Sequence, residues 1–272
     1  MKLSNIFWGA VTFGAGALLY GALFETEKLR VERRTLRLPR WPVSLDGYKV
    51  AVLADAHVRD HPSMLFAQRA VEQALVENPD LVVIPGDTIA YWKRGVLEMV
   101  EAAYSGLKLM HGKVLAVPGN HDYFAGDAEW LAPVFQELGI TLLRNEVAMV
   151  DGINWVGVDS EIAGRADPYS AIMKSDPEHP LVIVWHEPDM VDTLPWGPEL
   201  MISGHSHGGQ FITPWGWAPT GSRLGRKYMR GFYPHAPVPL YVSRGIGTTG
   251  PPARLFCPAE VSILTLRPAL PV

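Results

Sequence analysis

Gly204-His205-Ser206-His207-Gly208-Gly209-Gln210 sets two imidazoles one residue apart between glycines. That spacing suits a loop better than a helix or a strand. Leu200-Met201-Ile202-Ser203, just before it, reads as a short buried strand, so the loop leaves a sheet at its carboxyl end. With a flexible glycine on either side, both rings can turn toward one point, as two adjacent metal ions would require. Taken alone, the stretch fits a polar turn facing water equally well. The chain upstream tips the balance.

There the same pattern recurs. Residues 48–53 (YKVAVL) predict a strand, followed at once by Asp55 and His57. A helix is predicted over 63–77, with Ser63 as its N-cap and Asn78-Pro79 as its end. The apolar run 80–84 predicts a buried strand, with Gly86-Asp87 after it. A second helix over 96–110 and a third strand over 113–117 lead to Pro118-Gly119-Asn120-His121-Asp122. Strand, polar loop and helix thus alternate, and in such sheets ligands bind outside the carboxyl ends of the strands. The second half is richer in strands. Residues 140–143, 148–150 and 153–158 predict a meander with Asp151-Gly152 as a two-residue hairpin turn. Another buried strand, 181–185, ends in His186, and strands over 240–243 and 261–266 flank a Gly/Pro-rich loop.

A chain of 272 residues, 48% hydrophobic, has enough apolar side chains for a substantial core. Its net charge of −4 gives no electrostatic reason to expect a nucleic-acid partner. Cys257 is the sole cysteine, which excludes an intrachain disulfide and a thiolate metal site, and it reads as a small buried hydrophobe.

Residues 6–24 (IFWGAVTFGAGALLYGALF) carry no charge and are long enough to span a bilayer. Trp8 and Tyr20 fall where interfacial aromatics belong. A cleaved signal peptide is the rival reading. Against it, only Lys2 precedes the run, no small-x-small site follows it, and no arginine pair marks a twin-arginine signal. The expected organisation is a transmembrane anchor over 1–24, a basic juxtamembrane linker over 25–47 and a catalytic domain over 48–268. Lys28, Arg30, Arg33, Arg34, Arg37 and Arg40 follow the run, so the positive-inside rule puts the domain on the cytoplasmic face of the inner membrane, with anionic lipids as partners.

Five strand ends therefore present Asp55 and His57; Asp87; Asn120 and His121; His186; and His205 and His207. Carboxylate oxygen with imidazole nitrogen, and no thiol, suits divalent ions: Mn²⁺ first, with Fe²⁺ or Zn²⁺ as alternatives. The blocks D-x-H, G-D, G-N-H-D, a lone His and G-H-x-H occur in that order over about residues 49–266 and resemble those of the calcineurin-like metallophosphoesterases. Singly each block is a common turn; together, each after an apolar strand, they are specific. The resemblance implies an α/β four-layer α-β-β-α sandwich with the metals at one edge of its two sheets. It also implies that Asp55, His57 and His207 hold one metal, that Asp87 bridges, and that Asn120, His186 and His205 complete the second. Two such cations activate water and clamp the attacking and leaving oxygens of an in-line displacement. By the same likeness His121 stabilises the transition state or protonates the leaving group, with Asp122 as the carboxylate that orients it.

GHSHGGQ, the stretch 222–228 (SRLGRKY) and the tail SRGIGTTGPPARLFCPAEVSILTL resemble a bacterial branch of membrane-associated phosphodiesterases. That branch includes enzymes cleaving the pyrophosphate of UDP-2,3-diacylglucosamine in lipid A synthesis. The resemblance implies a phosphate-containing or lipid-linked substrate, with a general phosphodiesterase on soluble substrates and a silent metal-binding module as alternatives. A silent module predicts a damaged ligand set, and all seven positions are present. One departure stands out: Arg59 replaces a glycine that many members carry two residues past the first histidine. It fits either a second-phosphate contact or a solvated loop charge. His61, His111, His179 and His235 read as surface residues. Trp215 and Trp217 read either as loop packing or as a membrane contact.

Overall fold

The computed structural model describes residues 19–195, 197–219 and 221–269, with isolated positions 8, 12, 14, 16 and 17. Most of the expected span over 6–24 therefore lies outside the described residues. Among those described, no helix is long and apolar enough to cross a membrane.

Twelve strands form two six-stranded sheets. The first has the order β1 (Leu29–Leu38), β12 (Ala259–Pro268), β2 (Tyr48–Val52), β3 (Leu81–Pro85), β4 (Val114–Val117) and β5 (Thr141–Leu142). The second runs β10 (Gly231–Tyr233), β11 (Leu240–Val242), β9 (Leu200–Ser203), β8 (Leu181–Trp185), β7 (Ile153–Val158) and β6 (Glu146–Val150). β2, β3 and β4 are parallel to one another, as are β7, β8 and β9. All six loops at their carboxyl ends can therefore meet along one rim.

The sheets pack face to face through a core in which Val50, Val83 and Val117 of the first meet Trp155, Val184 and Ile202 of the second. The outer face of the first sheet packs on α1 (His61–Val76), α2 (Val96–Tyr104) and α3 (Ala132–Glu137). Less covers the second sheet: the one-turn α4 (Pro168–Ile172) and a 3-10 segment, Pro188–Thr193. The architecture is the expected pair of sheets with helical outer layers.

Three local departures have physical causes. Residues 29–38, expected as part of a basic linker, are an edge strand paired in parallel with β12 from Leu29↔Ala259 to Leu38↔Pro268. Leu36 and Leu38 are buried while Arg30, Arg33, Arg34 and Arg37 point to solvent. Cationic edge residues discourage pairing with another chain. Arg33 is also committed, donating both Nε and Nη2 to Glu77 at 2.9 and 2.5 Å. The expected meander is divided: β5 joins β4 in the first sheet, whereas β6 and β7 form the hairpin of the second. The Asp151-Gly152 turn is as expected, with φ of 52° and 74°, the left-handed pair that suits a right-twisted hairpin. The helix predicted over 96–110 is α-helical only to Tyr104, then tightens to a 3-10 run, Ser105–Met110.

The cap of α1 also differs from expectation. Asp60, not Ser63, is the N-cap: its carboxylate accepts from Ser63 N at 2.9 Å, and Ser63 Oγ accepts from Asp60 N at 3.0 Å. This reciprocal pair satisfies two helix-end donors, with Pro62 inside the first turn where no donor is needed. Asp60→Ala is expected to cost about 1 kcal/mol of stability, read as a lower urea midpoint with an unchanged m-value.

Candidate metal centre

Each candidate residue lies just past a strand of the parallel cores. β2 delivers Asp55 and His57, β3 delivers Asp87, and β4 delivers Asn120 and His121. From the facing sheet, β8 delivers His186, and β9 delivers His205 and His207. Turning these side chains inward takes unusual backbone. Asp55, His57, Asp87, His205 and His207 all have positive φ, from 47° to 68°. Such a conformation costs a non-glycine residue about 1 kcal/mol or more and persists only where the surroundings enforce it. Glycine supplies the clearance: a Cβ on Gly119 would lie 2.2 Å from Asp87 Oδ1, and one on Gly204 would lie 2.3 Å from Asp55 Oδ2.

The result is a buried knot of lone pairs. Asp87 Oδ2 lies 3.2 Å from His186 Nε2 and 3.4 Å from His57 Nε2. His57 Nε2 and His207 Nε2 are 3.0 Å apart, and His186 Nε2 and His205 Nδ1 are 3.1 Å apart. Asp55 Oδ1 sits 3.7 Å from His207 Nε2. Asn120 Oδ1 is buried with no hydrogen-bond donor. Three overlapping groups of potential ligand atoms emerge, Asp55–His57–His207, His57–Asp87–His121 and Asp87–His186–His205, each within 4.8 Å. Buried acceptors converging without donors are costly unless a cation answers them, so the donor set fits metal ions.

The second ring nitrogens fix which face each histidine offers. His186 Nδ1 donates to Pro85 O at 2.7 Å, and His205 Nε2 donates to Arg223 O at 2.5 Å. A carbonyl only accepts, so that nitrogen carries a proton and the other nitrogen is the one turned toward the centre. Burial, helped by the charge of Asp87, pushes the Asp55 carboxyl up to about 7. Burial likewise pulls His57 down to about 3 and His207 well below the usual imidazole range, so both rings are neutral, as ligands must be. Burial works against ionised Asp87 and His186 too. Their mutual attraction outweighs it, holding Asp87 well below and His186 well above their ordinary values.

Three expectations need correction or completion, and a fourth holds. Asp122 does not touch the His121 ring. Its carboxylate accepts from Gly119 N at 2.9 Å and Ile89 N at 3.1 Å, bracing two site loops, and burial pushes it up to about 7. His121 is oriented by a backbone group instead: Nδ1 donates to Ala90 O at 2.8 Å, which leaves Nε2 free. Its ring stands edge-on to His57, centroids 4.6 Å apart. Arg59 does not reach the cavity that holds Asp87, Asn120 and His121. Its guanidinium donates to Thr248 O and Oγ1 at 2.9 and 3.0 Å, so it braces a loop. His61, His111, His179 and His235 are exposed, as expected of surface residues.

The residue missed by sequence reasoning is Arg254. It is fully buried, and its guanidinium donates to the carbonyls of Arg244 and Gly245 at 2.9 Å each, of Gly247 at 2.5 Å and of Cys257 at 3.2 Å. Nη1 also reaches His207 O at 3.4 Å. The guanidinium thus ties the histidine loop to residues 244–257. An arginine in a Gly/Pro-rich tail gives no signal of this.

A rim of aspartates, imidazoles and a carboxamide oxygen, shared between two facing sheets, is a donor set fit for divalent metal ions. The comparisons agree. The calcineurin-like phosphoesterase family model matches residues 48–209. A metallophosphoesterase of Aquifex aeolicus is 30% identical over 264 residues, 92% of this chain and 97% of that one. One from Helicobacter pylori is 30% identical over 244 residues, 85% of this chain, which spans 64% of the relative's length. The phosphodiesterase YaeI of Escherichia coli is 26% identical over 231 residues, 80% of this chain and 82% of that one. The chain belongs to the calcineurin-like phosphoesterase family.

Arg254→Ala is expected to cost about 3 kcal/mol or more, because several buried carbonyls lose their donor. For a chain of this size that lowers Tm by roughly 6 °C or more. A Tm within 1 °C of the parent would show that the guanidinium braces nothing.

Proposed function

We propose that this chain is a membrane-anchored phosphoesterase using two divalent cations, Mn²⁺ first, to cleave a phosphodiester or pyrophosphate bond. The observation that carries this reading is the buried convergence of seven groups able to ligate a cation, Asn120 Oδ1 among them, at the meeting of two sheets. Asp55, His57 and His207 would hold one ion, Asn120, His186 and His205 the other, and Asp87 both. When bound, such a pair supplies Lewis acidity and an activated water. The chain supplies the rest. Asp87 Oδ1 accepts from His121 N at 2.8 Å, coupling the bridging carboxylate to the loop that carries His121. With its Nδ1 proton committed to Ala90 O, the His121 ring presents Nε2 to the leaving oxygen as a proton donor once it is doubly protonated.

The proposed location is the cytoplasmic face of the inner membrane, and the proposed substrate is UDP-2,3-diacylglucosamine. A membrane-linked substrate is supported by the docking of the segment that ends the apolar run. Glu25 accepts from Phe256 N, and Thr26 Oγ1 from Arg254 N at 3.1 Å. The segment thus leads directly into the loop beneath His207. Leu23, Phe24 and Phe256 there are exposed, as are Trp215 and Trp217 elsewhere on the surface.

The decisive assay is turnover by purified protein with Mn²⁺ of UDP-2,3-diacylglucosamine against a soluble aryl phosphodiester, with Asn120→Ala alongside. Faster cleavage of the lipid substrate, and a loss of roughly 100-fold or more in the variant, is expected. Cleavage of the soluble diester alone would retain the chemistry and remove the substrate; full activity in Asn120→Ala would remove the ligand assignment.

Metal removal gives an independent readout. Binding that favours the folded chain stabilises it by about 2.7 kcal/mol at one hundred times Kd. Chelation should therefore lower Tm, and two equivalents of Mn²⁺ per chain should restore it. Restoration at one equivalent, with no second binding event by calorimetry, would leave a single-metal site.

A further inference from the structure

The cavity over the metal centre has a volume of about 600 Å³, and Arg223 is the one arginine or lysine on its wall among the described residues. Every other arginine near it is occupied. Arg59 binds Thr248, Arg230 binds Gly208 O and Gly216 O, Arg244 pairs with Glu260, and Arg254 is buried beneath the histidine loop. The Arg223 side chain is exposed, and its guanidinium has no hydrogen-bond or ion-pair partner among the described residues.

Its backbone, by contrast, is held firmly. The carbonyl of Arg223 accepts the Nε2 proton of His205 at 2.5 Å, and the neighbouring Ser222 Oγ donates to His205 O at 3.3 Å. Gly225 passes so close that a Cβ there would lie 3.2 Å from His205 Cδ2. The segment is wrapped around a histidine of the candidate centre, and the residue that carries the unpartnered guanidinium lines the cavity over it. Arginine's planar fork suits a phosphate with two equatorial oxygens to offer.

We propose that Arg223 is a specificity-determining residue: it binds the phosphate that is not being attacked, and so favours substrates carrying two linked phosphates over single-phosphate diesters. This rests on the two-cation reading of the site. Cations held by those residues would offset the charge of the phosphate undergoing displacement. A pyrophosphate-linked substrate brings a second anion into a cavity whose wall otherwise offers only the carboxylate of Asp87, histidines and uncharged groups. Arg223 is the group that answers that charge. The shared chemistry is the diphosphate, whether its far end is a soluble sugar or a diacylated one.

The test compares the full chain, Arg223→Gln and Arg223→Lys, each loaded with Mn²⁺ and checked for an unchanged Tm. The substrates are UDP-N-acetylglucosamine, UDP-2,3-diacylglucosamine and bis(p-nitrophenyl) phosphate. For whichever diphosphate the parent cleaves, Arg223→Gln should raise KM roughly 10- to 100-fold, the span of one charge-assisted hydrogen-bonded contact, with kcat within about threefold. The kcat/KM ratio of diphosphate to single-phosphate diester should fall at least tenfold, and Arg223→Lys should recover part of it. An equal loss on all substrates, or a fall in kcat alone, would mean that Arg223 only props His205, and would overturn the proposal. So would a parent enzyme that cleaves the diester and neither diphosphate, although the two-cation reading would survive. A parent inactive on all three would sink that reading itself, and the role of Arg223 with it.

Discussion

Asp87 is a carboxylate almost wholly withdrawn from water, with two imidazole nitrogens within 3.4 Å of one of its oxygens. A lone ionised carboxylate in such a place is strongly disfavoured. Its ionised form here is held by His186, by the N–H of His121 and, in the reading adopted above, by the ions it would bridge. Much of the rim answers to this requirement. β3 must end where Asp87 can turn inward at φ 51°, Gly119 must leave room for its Oδ1, and His186 must lie within reach from the other sheet.

Because the ligand set is divided between the sheets, their packing is part of the site's chemistry. Asp55, Asp87 and Asn120 move with the first sheet, and His186, His205 and His207 with the second. The two are joined across the rim by direct bonds. His205 N donates to both oxygens of Asp55 at 2.9 and 3.1 Å, and His186 Nδ1 donates to Pro85 O. Behind them, Trp155 and the valines of β2, β3 and β8 fix the spacing of the layers. A slip between the sheets by even half an ångström would alter every distance between the two half-sets, which is why a close-packed core serves better here than a merely apolar one.

What could be read from the sequence followed periodicity and strand-end chemistry. β3, β4 and β8 are unbroken apolar runs, β2 and β9 depart from that only at Lys49 and Ser203, and each is followed within a few residues by a group that the structure brings to the centre. β1 was hidden because its solvent side is arginine: the burial alternation is confined to Leu36 and Leu38, and the rest looks like a charged tether. The sheet to which β5 belongs was hidden because only tertiary packing sets it. Asp122 misled by adjacency, since the residue next to a histidine in sequence need not face its ring. Arg254 and the Ala90 carbonyl left no trace, because backbone carbonyls are the same in every sequence and only the fold decides which of them converge.

The ladder of the first sheet carries a consequence for how the molecule comes into being. β12 lies between β1 and β2, although about 220 residues separate it from the first and about 210 from the second. β1 therefore emerges from the ribosome with no partner, and β2, which leads to Asp55 and His57, has only β3 beside it. Both wait for residue 268. Until β12 is made, the first sheet stays open between β1 and β2, and the strand that leads to Asp55 and His57 lacks one of its two neighbours. A chain cut short before β12 cannot close that sheet, so a truncation far from the rim in sequence would still loosen the strand that leads to two members of the first ligand group.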